Sequence, residues 1–212
     1  MKITRRELPV LIVNLLYIPI FAFMALRNVN FEFVLYVGVI LAVGGFILWW
    51  QPIIQFDVPV LWGLTIWGFM HLCGGNIRVD DAVLYNLMIF PVVDAPYHIL
   101  RYDQVVHTLG FGVATLVCHH LLKPFLRDGI RTWVLLSFLI VLMGSGLGAI
   151  NEVLEFLAVV SVPDTNVGGY ENTALDLVCN LLGALLAVIF LAFRRKRHTV
   201  IGGRVETDDS SR

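Results

Sequence analysis

Residues 173–193 read TALDLVCNLLGALLAVIFLAF, and Arg194-Arg195-Lys196-Arg197 follow at once. An apolar stretch of this length matches the roughly 20 residues an α-helix needs to cross a bilayer. A basic run directly after it marks a cytoplasmic helix end. Two strongly polar side chains interrupt the stretch, Asp176 and Asn180, four residues apart and so on one helical face. Gly183, Ala184 and Ala187 continue the small-residue stripe beyond Asn180. Small residues let membrane helices approach closely, which turns this polar face into a bundle and away from lipid.

Five further segments outward from this one have the same character. The spans are expected at about 8–26, 31–50, 58–73, 102–122, 133–157 and 173–193. The chain of 212 residues is 58% hydrophobic and 15% charged, where a soluble domain carries about 25% charge. The fold class is therefore all-α, a polytopic bundle of about six spanning helices over residues 1–198 with a disordered cytoplasmic tail over 199–212. Lys2, Arg5 and Arg6 before the first apolar run resemble a signal peptide, but the run is long enough to span and no small-residue cleavage motif follows. Lys2, Arg5, Arg6, Lys123, Arg127, Arg131 and the run 194–197 fall on one side, against Arg27, Arg78 and Arg101 on the other. That asymmetry puts both termini in the cytoplasm. The net charge of −1 decides nothing about nucleic acid; the expected partner is the bilayer, not nucleic acid.

Residues 74–101 form the longest connection, on the outer side. Their apolar run 82–93 is too short to span and predicts an interfacial or re-entrant piece broken by Pro91 and Pro96. Residues 76–85 suggest a small hairpin around Asp80-Asp81, and Gly74-Gly75 permits a sharp turn after His71. The second outer loop, 158–172, carries Pro163, Asp164, Gly168 and Gly169. Cys73, Cys118 and Cys179 are odd in number and lack C-x-x-C spacing, so they are expected to be buried, inert thiols and not a disulfide framework.

The ionisable residues of the spans collect at one depth. His71 ends the third span, Asp103 and His107 open the fourth, Glu152 and Glu155 lie in the outer part of the fifth, and Asp176 lies early in the sixth. Each charge at that depth costs about 2.5–3.5 kcal/mol on insertion scales, so the cluster needs a reason. Asp103–His107 and Glu152–Glu155 share faces by spacing, and Gly144, Gly148 and Gly110 mark close packing there. Imidazoles and carboxylates on facing helices make a ligand set for a divalent metal. A hydrogen-bonded structural network and a proton or ion relay are the other readings. His119-His120 read as interfacial, His98 as a loop residue, His198 as part of the tail, and Glu32 and Asp57 as interface residues. Asp57 is also a candidate cap of the third helix, and Asn172 or Thr173 of the sixth, with Glu171 as an outlying ligand candidate. The tryptophans 49, 50, 62 and 67 read as interface belt and packing. No phosphate loop, G-x-S-x-G elbow, H-E-x-x-H or c-haem motif is present. Gly144-Ser145-Gly146 reads as a packing patch.

Three pieces in order, Y102-D-Q-V-V-H107, E152-V-L-E155 and N172-T-A-L-D176 running on to Asn180 and Gly183, resemble the VanZ-like membrane proteins and the related YjdF-like group. The likeness covers about residues 71–187. The second motif departs from the VanZ pattern, reading E-x-x-E for E-x-x-Q, and His71 followed by Gly74-Gly75 looks like the YjdF-like group. The departure keeps the glycopeptide-resistance phenotype of VanZ from being carried over. The resemblance implies a multi-pass protein of a prokaryotic plasma (inner) membrane with these acids and histidines as its functional core. The expectation is a divalent-metal site formed by His71, Asp103, His107, Glu152 and Asp176, with Glu155 as base and Glu152 beside it, acting on a lipid-linked or envelope substrate. An ion-coupled transporter and a non-catalytic membrane factor with a structural polar network are the alternatives.

Overall fold

The computed structural model describes residues 4–27, 31–93, 97–126, 133–161 and 168–208; of residues 31–33, 35 and 196–208 it describes the backbone alone. Lys2, Arg127 and Arg131, Pro96, Pro163 and Asp164, and the side chains of Glu32 and His198, which entered the reading above, lie outside the described residues.

The six apolar segments form six helices: α1 (Leu8–Arg27), α2 (Phe31–Ile54), α3 (Val58–Asn76), α4 (Tyr102–Leu122), α5 (Trp133–Ser161) and α6 (Tyr170–Asp208). All six are long and apolar enough to cross a membrane. Their outward faces are apolar, with Leu15 and Leu16 each 63% exposed on α1 and Val134 81% exposed on α5. In water such surfaces would be costly; against lipid tails they are matched. α4 packs on α3, α5 and α6, and α3 joins this group to α1 and α2.

Glycines set the separation of the helices. At Gly183 of α6 a Cβ would run into the backbone carbonyl of Thr108, and at Gly112 of α4 one would stand 3.1 Å from the Gly183 carbonyl. α4 and α6 therefore touch backbone to backbone, a packing that only small residues allow. On α5, a Cβ at Gly148 would stand 2.7 Å from the Asn180 amide nitrogen, so α5 meets α6 at the level of Asn180.

Between α3 and α4 the chain builds two small hairpins. β1 (Arg78–Val79) pairs with β2 (Ala82–Val83) around Asp80, which takes a φ of 54°. A 3-10 turn, Leu84–Asn86, leads to β3 (Met88–Val93), which pairs antiparallel with β4 (Ile99–Arg101). The apolar run 82–93, too short to span, is thus built of strand and turn. Its β-branched valines and Pro91 favour extended backbone, and β4 supplies pairing partners. β4 runs straight into α4, where the Gln104 carboxamide accepts the backbone N–H of Leu100 at 2.6 Å and of Arg101 at 3.2 Å. That contact holds Leu100 at a φ of 82°.

Two local expectations are corrected. Gly74-Gly75 does not turn the chain; α3 continues to Asn76, and Gly74 serves as a bare surface for the Tyr85 ring, which a Cβ there would strike. Neither Asn172 nor Thr173 caps α6, which starts at Tyr170, and Asn172 instead donates to Asp176. The α6 backbone is helical through the basic run to Asp208. No proline follows Phe193 to end it.

Asp57 sits at the N-cap position of α3 but makes no cap bond with its side chain. Its carboxylate reaches Arg194 Nη1 at 3.1 Å and His120 Nε2 at 3.4 Å, tying the start of α3 to the ends of α4 and α6. His120 is buried there, only 3% exposed. All three cysteines are free thiols.

Candidate functional site

The hairpin ends of α3, α4, α5 and α6 enclose the polar cluster. His107 is its centre. Helical spacing brings Asp103 one turn below it on α4, with Oδ1 3.6 Å from Nε2. From α5, Glu152 Oε1 stands 3.7 Å from Nδ1 and Glu155 Oε1 3.8 Å from Nε2. From α6, Asn180 places its Oδ1 3.0 Å from Nδ1. His107, Glu152, Asp176 and Asn180 are all buried, the last two almost wholly.

Two overlapping sets result, Asp103–His107–Asp176 and His107–Glu152–Glu155. Within each, one ligand atom per residue lies within 4.8 Å of the others. The two sets share the one imidazole. Four carboxylates thus surround His107, and Arg101 is close enough to act electrostatically on Asp103 and Asp176.

The hydrogen bonds orient the ring. The Asn180 amide nitrogen donates to Glu152 Oε1 at 3.4 Å, so the amide oxygen faces His107. That oxygen accepts from Nδ1–H, which turns Nε2 toward the acids. Nε2 faces Asp103 and Glu155 at 3.6 and 3.8 Å, too long for hydrogen bonds. Carboxylates gathered this closely repel one another unless a cation or a proton lies among them. Two further atoms have the same need: Glu152 Oε2 and Asp176 Oδ1 are buried and accept no hydrogen bond.

Asparagines brace the acids from outside. Asn151 donates to Glu155 Oε1 at 2.7 Å and Asn172 to Asp176 Oδ2 at 2.5 Å. Each pair is spaced by four residues on one helix, a signal present in the sequence and not used there. Both asparagines line a cavity of about 40 Å³ together with Asp103, His107, Glu155 and His71. That volume holds a water molecule or a single ion.

His71 lines the same cavity but belongs to neither set. Tyr85, from the 3-10 turn after β2, holds it. The phenol donates to the His71 carbonyl at 2.8 Å and lies 2.6 Å from His71 Nδ1. Burial pushes the Tyr85 phenol well above its usual pKa, so it stays protonated. Trp67 stacks on the imidazole at 5.4 Å and Tyr36 meets it edge-on at 5.0 Å. His71 Nε2 is shielded and without a hydrogen-bond partner. Tyr85 was missed in the sequence because its role depends on the loop folding back over Gly74. His98, on the loop, and Glu171, exposed in the first turn of α6, join neither set.

No curated protein and no solved structure matches the chain. A family model described as "Predicted membrane protein (DUF2238)" matches residues 9–197. That description names neither VanZ-like nor YjdF-like proteins. With six bilayer-length helices and a match over nearly its whole length, the chain belongs to this family of membrane proteins.

Proposed function

We propose that the cluster is a divalent-cation site and that it serves a hydrolytic reaction on a lipid-linked or envelope substrate at the outer face of a prokaryotic plasma membrane. The observation that carries this reading is Nε2 of His107 facing Asp103 and Glu155 beyond hydrogen-bond distance, with buried oxygens on Glu152 and Asp176 that accept no hydrogen bond. A hard divalent cation satisfies a carboxylate-rich set, and an imidazole nitrogen extends the choice to manganese, iron or zinc. Asn180 then plays the part usual for the outer partner of a metal-bound imidazole, holding its Nδ1–H. A bound cation would activate water or polarise a carbonyl or phosphoryl oxygen.

Within the set, Glu152 is the buried acid, fixed by Asn180, and fits the role of ligand. Glu155 is the base: it is more exposed, is oriented by Asn151 and opens onto the small cavity. His71 stands across that cavity, held by Tyr85, as part of its wall and not as a fifth ligand. The outer placement of this end follows from the basic residues at the other end, Arg5, Arg6, Lys123 and Arg194.

The test is elemental analysis of detergent-purified protein beside the Asp103→Asn/His107→Gln double variant at equal helicity. Near-stoichiometric metal in the parent and none in the variant is expected. In a titration with Mn²⁺, Asn180→Ala is expected to bind roughly 10–100-fold more weakly. Metal absent from both proteins, with no Mn²⁺ binding, leaves a hydrogen-bonded structural network and rejects the reading.

A further inference from the structure

A second cavity, of about 880 Å³, lies away from the acids, between α1, α2 and α3. It follows α1 from Thr4 to Pro19, which at the α-helical rise makes it roughly 20 Å long. At the hairpin end α1 and α2 close on each other through Tyr17, Phe21, Ala25, Val37 and Ile40. Toward the basic end Gly44 and Gly45 offer no side chain, and nothing lies within 4 Å of where a Cβ would stand. The slot is open sideways, since Leu15 and Leu41, which line it, are 63% and 57% exposed.

The polar groups of the slot are arranged in two places. Midway, Asn14, Tyr17 and Thr65 bond one another: Asn14 donates to Thr65 Oγ1 at 2.7 Å and Tyr17 to Asn14 Oδ1 at 2.8 Å. They make no demand on a ligand. At the basic end, Glu7 accepts from Gln51 at 2.6 Å and from the Thr4 backbone at 2.7 Å. Each carboxylate oxygen keeps a second lone pair there. Arg5 and Arg6 stand exposed in the same turn as Glu7.

We infer that this slot holds one phospholipid with an amine in its headgroup, its acyl chains along α1 and its headgroup at the Thr4–Glu7 turn. An apolar slot parallel to bilayer-crossing helices, closed on three sides and open to the membrane, has the shape of a lipid chain site. Glu7, which lines the slot, chooses the headgroup because it complements an ammonium. Arg5 and Arg6 are exposed on the same turn outside the lining and complement the phosphate of a headgroup that emerges there. A lipid here is separate from the annular shell because three helices surround it. The inference does not depend on the cation site at the other end.

Native mass spectrometry of the full chain, extracted in mild detergent from vesicles of equal phosphatidylethanolamine and phosphatidylglycerol, tests it. One retained phosphatidylethanolamine per chain is expected. Gly44→Leu/Gly45→Leu fills the slot from α2 and is expected to cut the retained fraction at least tenfold. Leu11→Trp fills it from α1 and decides the matter where the glycine variant does not insert. Glu7→Gln is expected to abolish the preference for phosphatidylethanolamine while leaving retention. Unchanged retention in the filled variants, or a parent that retains both lipids equally, overturns the assignment.

Discussion

His107 shows how a single ring is held between opposing demands. Its Nδ1 is engaged by the Asn180 amide oxygen, and its Nε2 is left among carboxylates. The opposite end of the bundle has its own node at Asp57, which lies outside the spans and takes Arg194 and His120. Burial there raises the Asp57 pKa, but His120, Lys123 and Arg194 outweigh it and hold the carboxyl below its usual 3.8. A group depressed in the folded state adds stability above its ordinary pKa and loses it as pH falls through the folded value. Asp57→Asn is therefore expected to lower the melting temperature at neutral pH, the loss of stability being on the order of 1 kcal/mol or less for so exposed a pair. The gap to the parent should close below about pH 3.8. A melting series in which the gap is constant across that range contradicts the assignment. In the sequence Asp57 reads as an interface residue or cap, because its partners lie on helices far along the chain.

At the scale of elements, the contact between α4 and α6 carries the site. Gly183 and Gly112 let the two backbones meet, and that contact sets how far His107 sits from Asn180 and Asp176. Gly183→Ala would drive a methyl into the Thr108 carbonyl, forcing the helices apart at a cost of roughly 1–3 kcal/mol. Gly146→Ala on α5 meets nothing within 4 Å and serves as the control, expected within about 0.5 kcal/mol of the parent. Thermal unfolding in detergent compares them, and equal melting temperatures would sink the packing argument. The small-residue stripes were legible in the sequence by spacing alone. The strands of 78–101 were legible only in part: Asp80-Asp81 signals its turn, whereas the apolar run 88–93 does not itself show which segment it pairs with.

For the whole molecule, six helices in alternating direction put Phe125 and Arg194 at one end and the hairpins at the other. Single cysteines at Tyr97 (53% exposed) and Phe125 (81% exposed), in a background free of native cysteines, report that arrangement. A membrane-impermeant thiol reagent added to intact cells is expected to label the cysteine at 97 and not the one at 125. Labelling of both, or of 125 alone, reverses the proposed orientation and moves the acid site to the cytoplasmic face. Trp67 lines both cavities, the small one among the acids and the long one that runs from it between α1, α2 and α3 toward the Thr4–Glu7 turn.

The number of spans and the gathering of His71, Asp103, His107, Glu152, Glu155 and Asp176 at one end follow from the sequence alone. Span length is a local property when no water is available to backbone groups, and the ends of successive spans alternate by necessity. Which of these residues share ligand distance was decided by tertiary structure. The rotation of α4, α5 and α6 about their axes is set by glycine contacts between elements. Those contacts bring four acids to His107, while Tyr85, folding back over Gly74 from the loop, takes His71 out of the set. Differences of an ångström or two separate a ligand from a neighbour, and such distances arise from packing between segments that are remote along the chain.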